Sequence, residues 1–273
     1  MPAGREEGGG GALAAVAHGT RTAPMKYTIE FNVTGDQRER LTRAIEAGVA
    51  GDAPLLKRAR RRRVFRAAVD GLPAMMVKAF PLDPLARVRY RKYAVTEAAN
   101  YREAARRQIS IPAYYGYFER RRFGLVALTG LLIEDLDGWR SLAASPAGAD
   151  GDKVRGAVVE VLGAMFDAGV NHVDTTRDNF LLSPDLGRAK LIDWQYASFV
   201  QPRQPEQIVL QLARLLDHAG IGADTERGKI WISETYDACR PNMSREAFMQ
   251  FLASAQRRRQ PIADRLRLKV HRA

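Results

Sequence analysis

The hydrophobic rhythm of the chain changes partway along its length. From Leu55 onward it is short-period: "VFRAAVDGLPAMMVKAF" holds two apolar, β-leaning runs around Asp70 and Gly71, and so predicts a hairpin whose second strand ends near Lys78. Between Pro84 and Gln108 there is no glycine and no internal proline. The stretch is rich in Ala, Arg, Glu and Tyr, with Asp83 placed to cap it and Pro84 at the first helical position, so it predicts one long helix or two end to end. "AYYGYF", a turn at "ERRR" and "FGLVALTGLLIEDL" then predict two or three further antiparallel strands.

After the loop "SPAGADGD" the period lengthens. Val154, Ala157, Val158, Val161, Leu162, Met165 and Phe166 fall on one helical face, and Gly169 stops that helix as a left-handed cap. "NFLL", the turn "SPDLGR" and "AKLID" predict a second, small hairpin. Helices follow over Pro205 to His218, Thr225 to Cys239, Ser244 to Arg258 and Pro261 to the end. A β-rich first half with one helix, joined to a helical second half, predicts two lobes with a cleft between them. The expected organisation is a disordered leader over 1–24, a first lobe over 25–136 and a helical lobe over 137–273; no element is assigned between 25 and 54.

Composition narrows the class. With 273 residues, 46 % of them hydrophobic, there is material for a sizeable core. No apolar run approaches the roughly 18–20 residues of a membrane span, and the glycine-rich start does not read as a secretory signal, so a cytoplasmic protein is expected. The single cysteine, Cys239, allows neither an internal disulfide nor a thiolate zinc site and reads as a buried thiol. A net charge of +12, concentrated in "KRARRRR", "ARVRYRKY" and the basic C-terminal segment, favours anionic partners: nucleic acid, acidic lipid headgroups or phosphorylated sugars.

The chemistry concentrates in "NHVDTTRDNFLL" and "KLIDW". Taken alone, an aspartate-rich loop is a turn with side-chain caps, and a strand lysine lays its stem on apolar surface. Here the loop follows a glycine-stopped helix and precedes two short strands, an arrangement suited to phosphoryl transfer from a magnesium-bound nucleotide. Asp174 would accept or orient the proton of an attacking hydroxyl. Asn179 and Asp193 would offer hard oxygen ligands to Mg2+. Lys78 would pair with the α- and β-phosphates, and Glu97 on the following helix would hold Lys78 in place. Glu134, Asp135 and Leu136 fall where the lobes join and where backbone would meet the adenine. His172 reads as a brace for the loop, and Asp178 as a cap or a positioning group.

The order Lys78, Glu97, "HVDTTRDN" and "IDW" resembles the protein kinase pattern of strand lysine, helix glutamate, H-x-D-x-x-x-x-N and D-F-G. "VDGLPAMMVKAF", "EAANYREAARRQISIP", "LLIEDLDG" and "HVDTTRDNFLL" resemble more closely the bacterial lipopolysaccharide core kinases of the Kdo/heptose kinase group, above all the inner-core heptose kinase. The resemblance spans roughly Leu55 to Leu216 and selects Glu97 over Glu103 as the helix glutamate. It implies a two-lobed, protein-kinase-like α+β fold and ATP- and Mg2+-dependent phosphorylation of a sugar hydroxyl on the lipopolysaccharide core. The implied partners are that core or a related anionic glycolipid, reached by peripheral electrostatic contact with an anionic membrane; nucleic acid is not implied. Two departures stand out: "KRARRRR" occupies the position of the glycine-rich loop between the first two strands, and "DWQ" replaces D-F-G with no A-P-E element after it, which removes the basis for an activation-loop switch. The alternatives are a small-molecule or antibiotic phosphotransferase of the same fold, and a non-catalytic binding module.

Overall fold

The computed structural model describes residues 24–30, 32–59, 62–82, 87–145 and 151–258. All but the last residue of the expected leader, the Asp83–Pro84 helix start and the helix expected from Pro261 lie outside the described residues. The first lobe is a six-stranded antiparallel sheet in the order β1-β5-β6-β4-β3-β2. Its strands are β1 (Met25–Ile29), β2 (Leu55–Ala59), β3 (Arg62–Ala67), β4 (Met75–Pro81), β5 (Tyr114–Arg122) and β6 (Leu125–Glu134). Helix α1 (Gly35–Ala50) covers one face, and helix α2 (Arg87–Arg106) packs on the other side of the sheet.

Strand β4 explains why "AMMVKAF" reads as a continuous apolar run. Met75, Val77 and Ala79 point into the core beneath α1, with Leu41 and Ile45, while the alternate residues Met76, Lys78 and Phe80 point towards α2 and the second lobe. A strand covered on both faces has no solvent side on which to place polar residues. Lys78 is thereby fixed on the inner face by the register Lys78↔Leu131 and Val64↔Lys78.

Both β1 and α1 fall in the stretch to which the sequence reading assigns nothing, yet the helix signals are present. Thr34 caps the first turn in a reciprocal pair with Gln37, and Gly51 ends the helix at φ +102°. Gly48 lets α1 sit directly on the sheet, because a Cβ there would come within 2.1 Å of the Phe65 ring. Two other expectations are corrected. "KRARRRR" is mostly strand: Lys57 to Ala59 belong to β2, Arg62 and Arg63 open β3, and Arg60 and Arg61 lie outside the described residues. "ERRR" continues β5, and the chain turns at Phe123–Gly124, the two positions with positive φ.

The second lobe is built on α3 (Asp152–Asp167), whose seven stripe residues are all buried, together with α4 (Pro205–Ala219), α5 (Glu226–Cys239) and α6 (Arg245–Arg258). Cys239 lies in this core, where burial pushes its thiol up to about 12. Five short strands stand against the helices: β7 (Arg140–Ser141), β8 (Val170–His172), β9 (Phe180–Leu182), β10 (Ala189–Leu191) and β11 (Ala197–Phe199). The predicted hairpin is β9–β10, to which β7 adds a third strand, and β8 pairs with β11.

Gly169 adopts φ +65° between α3 and β8, and a Cβ there would lie 2.3 Å from the Val200 carbonyl oxygen. Gly169→Ala is therefore expected to cost more than the roughly 1–2 kcal/mol of a left-handed non-glycine residue. Gly51→Ala, with φ +102° and nothing within 4 Å, is expected to cost only that conformational part. Urea midpoints of the two variants check the difference, and equal losses would contradict it.

Candidate active site

Two small sheets bring the chemistry-bearing residues together. The loop carrying Asp174 and Asn179 leaves β8 and enters β9, and Asp193 follows β10. Pairing of β9 with β10, extended by Ile192 N–H donating to the Asn179 carbonyl at 2.9 Å, sets Asp193 beside Asn179. Pairing of β8 with β11, with His172 opposite Ala197, holds the chain after Asp193 against the start of the loop. Asp193 itself takes φ +66°, ψ +58°, a left-handed conformation that aspartate tolerates better than most residues.

Around this point the lobes meet in a buried ion cluster. Lys78 Nζ donates to Glu97 Oε1 and to Asp193 Oδ1, both at 2.8 Å, and Arg62 Nη1 lies 3.5 Å from Asp193 Oδ2. Glu97 is only 1 % exposed. Burial pushes its carboxyl up against the pull of Lys78, and Glu97 Oε2 has no hydrogen-bond partner among the described residues. Burial also works against the charge on Asp193, but Lys78, through charge and hydrogen bond, and Arg62 outweigh it and hold the carboxyl below the usual aspartate range. Asp193 is therefore the firm anion of the pair. Glu103, the other candidate on α2, faces outward and pairs with Arg106 and Arg107.

The cluster borders a cavity of about 160 Å³ between the lobes, with Met76, Ile133 and Ile192 as apolar walls and Asp178 and Asn179 opposite Lys78. Asn179 Nδ2 donates to the Asp174 carbonyl at 2.8 Å and to Asp174 Oδ2 at 3.1 Å, which leaves its Oδ1 as an acceptor. Asp174 Oδ1 receives Arg214 Nη2 at 3.3 Å. Glu134 and Leu136 sit at the lobe junction rather than among the residues bordering the cavity. The Glu134 carboxylate accepts from Ala113 N–H at 2.9 Å and pairs with Lys190, and Leu136 is buried. Arg66 closes the junction through Asp135 at 2.9 Å and Asp137 at 2.5 Å.

His172 is fully buried, and its ring stands edge-on to Trp194 at 5.1 Å between centroids. It braces the loop by packing, and burial favours its neutral form. Trp194 is locked in place: its Nε1 donates to the Leu191 carbonyl at 2.9 Å, and Asn100 on α2 donates to the carbonyls of Trp194 and Ala197 at 2.8 and 2.9 Å. The segment after Asp193 thus runs through one tight turn into β11, tied to the same helix that carries Glu97.

Several contributors escape the sequence reading but leave a signal in it. Gln207, Gln211, Arg214 and His218 recur at helical spacing on α4, in a helix otherwise committed to the core. Gln211 Nε2 donates to the Val170 carbonyl at 2.7 Å, the Gln211 backbone carbonyl accepts from Thr175 Oγ1 at 2.8 Å, and His218 Nε2 lies 3.4 Å from Asp178 Oδ2. With Arg214 on Asp174, Arg214 and His218 are the side chains of this stripe that reach the Asp174 loop. Arg62, Val64 and Arg66 become legible from the alternation of β3 once Phe65 and Ala67 are known to face α1.

Asn179 and Asp193 suit a magnesium ion held mainly by nucleotide phosphates, because such a site takes only one or two protein oxygen ligands. No group of three or more His, Cys, Asp or Glu arranged for a metal occurs among the described residues.

Comparison with known proteins matches this architecture. The chain superposes on the solved structure titled "WaaP in complex with acyl carrier protein" with a TM-score of 0.58 at 22 % identity, covering 88 % of this chain and 99 % of that one. The Rio2 kinase–ADP/Mg2+–phosphoaspartate complex of Chaetomium thermophilum aligns with a TM-score of 0.44 at 13 % identity, over 80 % of this chain and 75 % of that one. No curated protein matches the chain. Residues 85–229 match the model "Lipopolysaccharide kinase (Kdo/WaaP) family", a segment that includes Glu97, Asp174, Asn179 and Asp193 and begins just after Lys78. Since that match takes in more than half of the 273 residues, and the two-lobed kinase fold surrounds it, the chain belongs to the lipopolysaccharide kinase (Kdo/WaaP) family and is a kinase.

Proposed function

We infer that the chain transfers the γ-phosphoryl group of ATP to a sugar hydroxyl, on Kdo or heptose, of the lipopolysaccharide inner core at the cytoplasmic face of the inner membrane. The observation that carries this reading is the convergence of Lys78, Asn179 and Asp193 on one cavity, with the Asp174 carboxylate hydrogen-bonded to Asn179 beside it. In this reading the nucleotide lies between a first lobe over 25–136 and a second from 137 onward. Its adenine meets the backbone from Glu134 to Leu136. Lys78 pairs with the α- and β-phosphates, and Glu97 keeps the ammonium oriented. Arg62, 3.5 Å from Asp193, swings to the phosphates in the place of glycine-loop amides. Asn179 and Asp193 would hold Mg2+, which would supply positive charge to offset the charge that develops as the group transfers. Asp174 takes the proton of the sugar hydroxyl as the new O–P bond forms and the bond to ADP breaks.

The surroundings of Asp174 favour an anionic acceptor over a cationic antibiotic. Arg214 lies on its carboxylate at 3.3 Å, so the acceptor side carries a cation where an aminoglycoside would need carboxylates. No helix among the described residues is long and apolar enough to cross a membrane, which accords with peripheral attachment. The test is to incubate the protein with γ-labelled ATP and Mg2+ and one of four acceptors: a lipopolysaccharide precursor ending in Kdo, one ending in heptose, an aminoglycoside or a generic protein. Label is expected on one of the two precursors, and which one decides the sugar. Label on the aminoglycoside alone would overturn the assignment.

A further inference from the structure

Among the described residues few large apolar side chains are exposed, and three of them gather at one place remote in sequence from the Asp174 loop: Phe123 at 89 %, Leu125 at 53 % and Val95 at 44 %. Phe123 and Gly124 form the two-residue turn between β5 and β6, with φ of +50° and +75°. Turns with two positive φ angles are ordinarily made by Asn, Asp or Gly, and a bulky aromatic pays a conformational penalty there. Here that penalty serves to hold a phenyl ring out in water, and strain kept at an exposed position points to a use.

Beneath the turn lies an open cleft of about 540 Å³ between the hairpin and α2. Val95, Leu125 and Val126 supply its apolar surface, and Arg91, Lys92 and Arg121 its polar rim. Glu119, 9 % exposed, fixes two of these cations by pairing with Arg91 Nε at 3.2 Å and Arg121 at 3.0 Å. Arg122 stacks on the Phe123 ring at 5.3 Å. Among the described residues, one carboxylate against Arg91, Lys92, Arg121 and Arg122 leaves an excess of positive charge around an apolar cleft and an apolar tip.

We propose that the β5–β6 turn and the adjoining face of α2 form the surface by which the kinase docks on an anionic lipid bilayer, with Phe123 and Leu125 entering the acyl boundary and Arg91, Lys92, Arg121 and Arg122 engaging lipid phosphates. The convex, single-ring tip matches a fluid surface that closes around it, whereas a folded partner would need a complementary pocket. The chemistry is the usual pairing of interfacial aromatics with a basic collar. This occupant rests on the proposed membrane-borne acceptor, but vesicle binding is measured without nucleotide or acceptor, so its failure is separable from failure of the kinase assignment.

The experiment compares the full chain with Phe123→Ser/Leu125→Ser and with Phe123→Trp on phosphatidylglycerol and phosphatidylcholine vesicles. The wild type is expected to float with phosphatidylglycerol and not with phosphatidylcholine, and to lose most binding between about 0.1 M and 0.5 M salt. The double serine variant is expected to bind about tenfold more weakly or worse while keeping nucleotide affinity. Phe123→Trp is expected to add a component that shifts to the blue and is quenched by brominated lipid. Undiminished flotation of the serine variant, an unshifted tryptophan, or wild-type binding confined to an acidic protein or peptide would each overturn the proposal.

Discussion

Asp174→Ala is expected to lower kcat by about 10²–10⁴ while nucleotide affinity stays within a few-fold of wild type. The asymmetry follows from position. Asp174 touches Asn179 and Arg214 and lies outside the cluster of Lys78, Glu97 and Asp193, so its loss leaves those ion pairs intact. What is lost is the oxygen that takes the hydroxyl proton and orients the attacking atom. Its removal also frees Arg214, and the Asp174→Asn variant separates the two effects: it preserves the size of the side chain but cannot accept a proton as a carboxylate does. Steady-state kinetics with a lipopolysaccharide acceptor, alongside equilibrium nucleotide titration, give both numbers. A variant whose turnover matches wild type would remove Asp174 from the chemistry.

Asp193→Ala is expected to abolish the magnesium-dependent part of nucleotide binding and to reduce kcat/KM by more than about 10²-fold, since the charge stabilisation that a metal held there would supply is worth several kcal/mol in the transition state. Asp193 is the stronger anion of the cluster, held ionised by Lys78 and Arg62, and it is the only carboxylate assigned to the metal. Without it Lys78 keeps Glu97 as its one ion-pair partner among the described residues, and the weaker metal-free binding through Lys78 and Arg62 is expected to survive or improve. Nucleotide titration with and without Mg2+ reads the difference directly. Magnesium dependence equal to that of the wild type would sink the assignment of Asp193 to the metal.

The sequence alone carried the backbone of this outcome. The stripe from Val154 to Phe166, the stop at Gly169 and the hairpin around "SPDLGR" were legible because helices and short strands impose local periods, and because glycine at positive φ leaves a mark wherever it occurs. Lys78, Glu97, Asp174, Asn179 and Asp193 could be named because their identities and order match a motif. What the sequence could not supply is which face each element turns inward. Arg62 of "KRARRRR" and Arg66 beyond it read as solvated charge until β3 is seen to place Phe65 and Ala67 beneath α1, which turns Arg62 towards Asp193 and Arg66 towards Asp135. The polar stripe of α4 has no meaning until the Asp174 loop lies across it. The turn at Phe123–Gly124 was misplaced because arginines read as turn residues when in fact they pair along β5.

Local pattern, then, determined the elements, the kinase-like order and the candidate chemistry. Tertiary structure alone decided the pairing of Lys78 with both Glu97 and Asp193, the grip of Arg214 on Asp174, and the basic, apolar surface at the β5–β6 turn. The physical reason is common to all three: each depends on groups far apart in sequence, brought within hydrogen-bonding or packing distance only by the fold, between the lobes for Lys78 and Asp193 and within one lobe for the others, and no local period records such contacts.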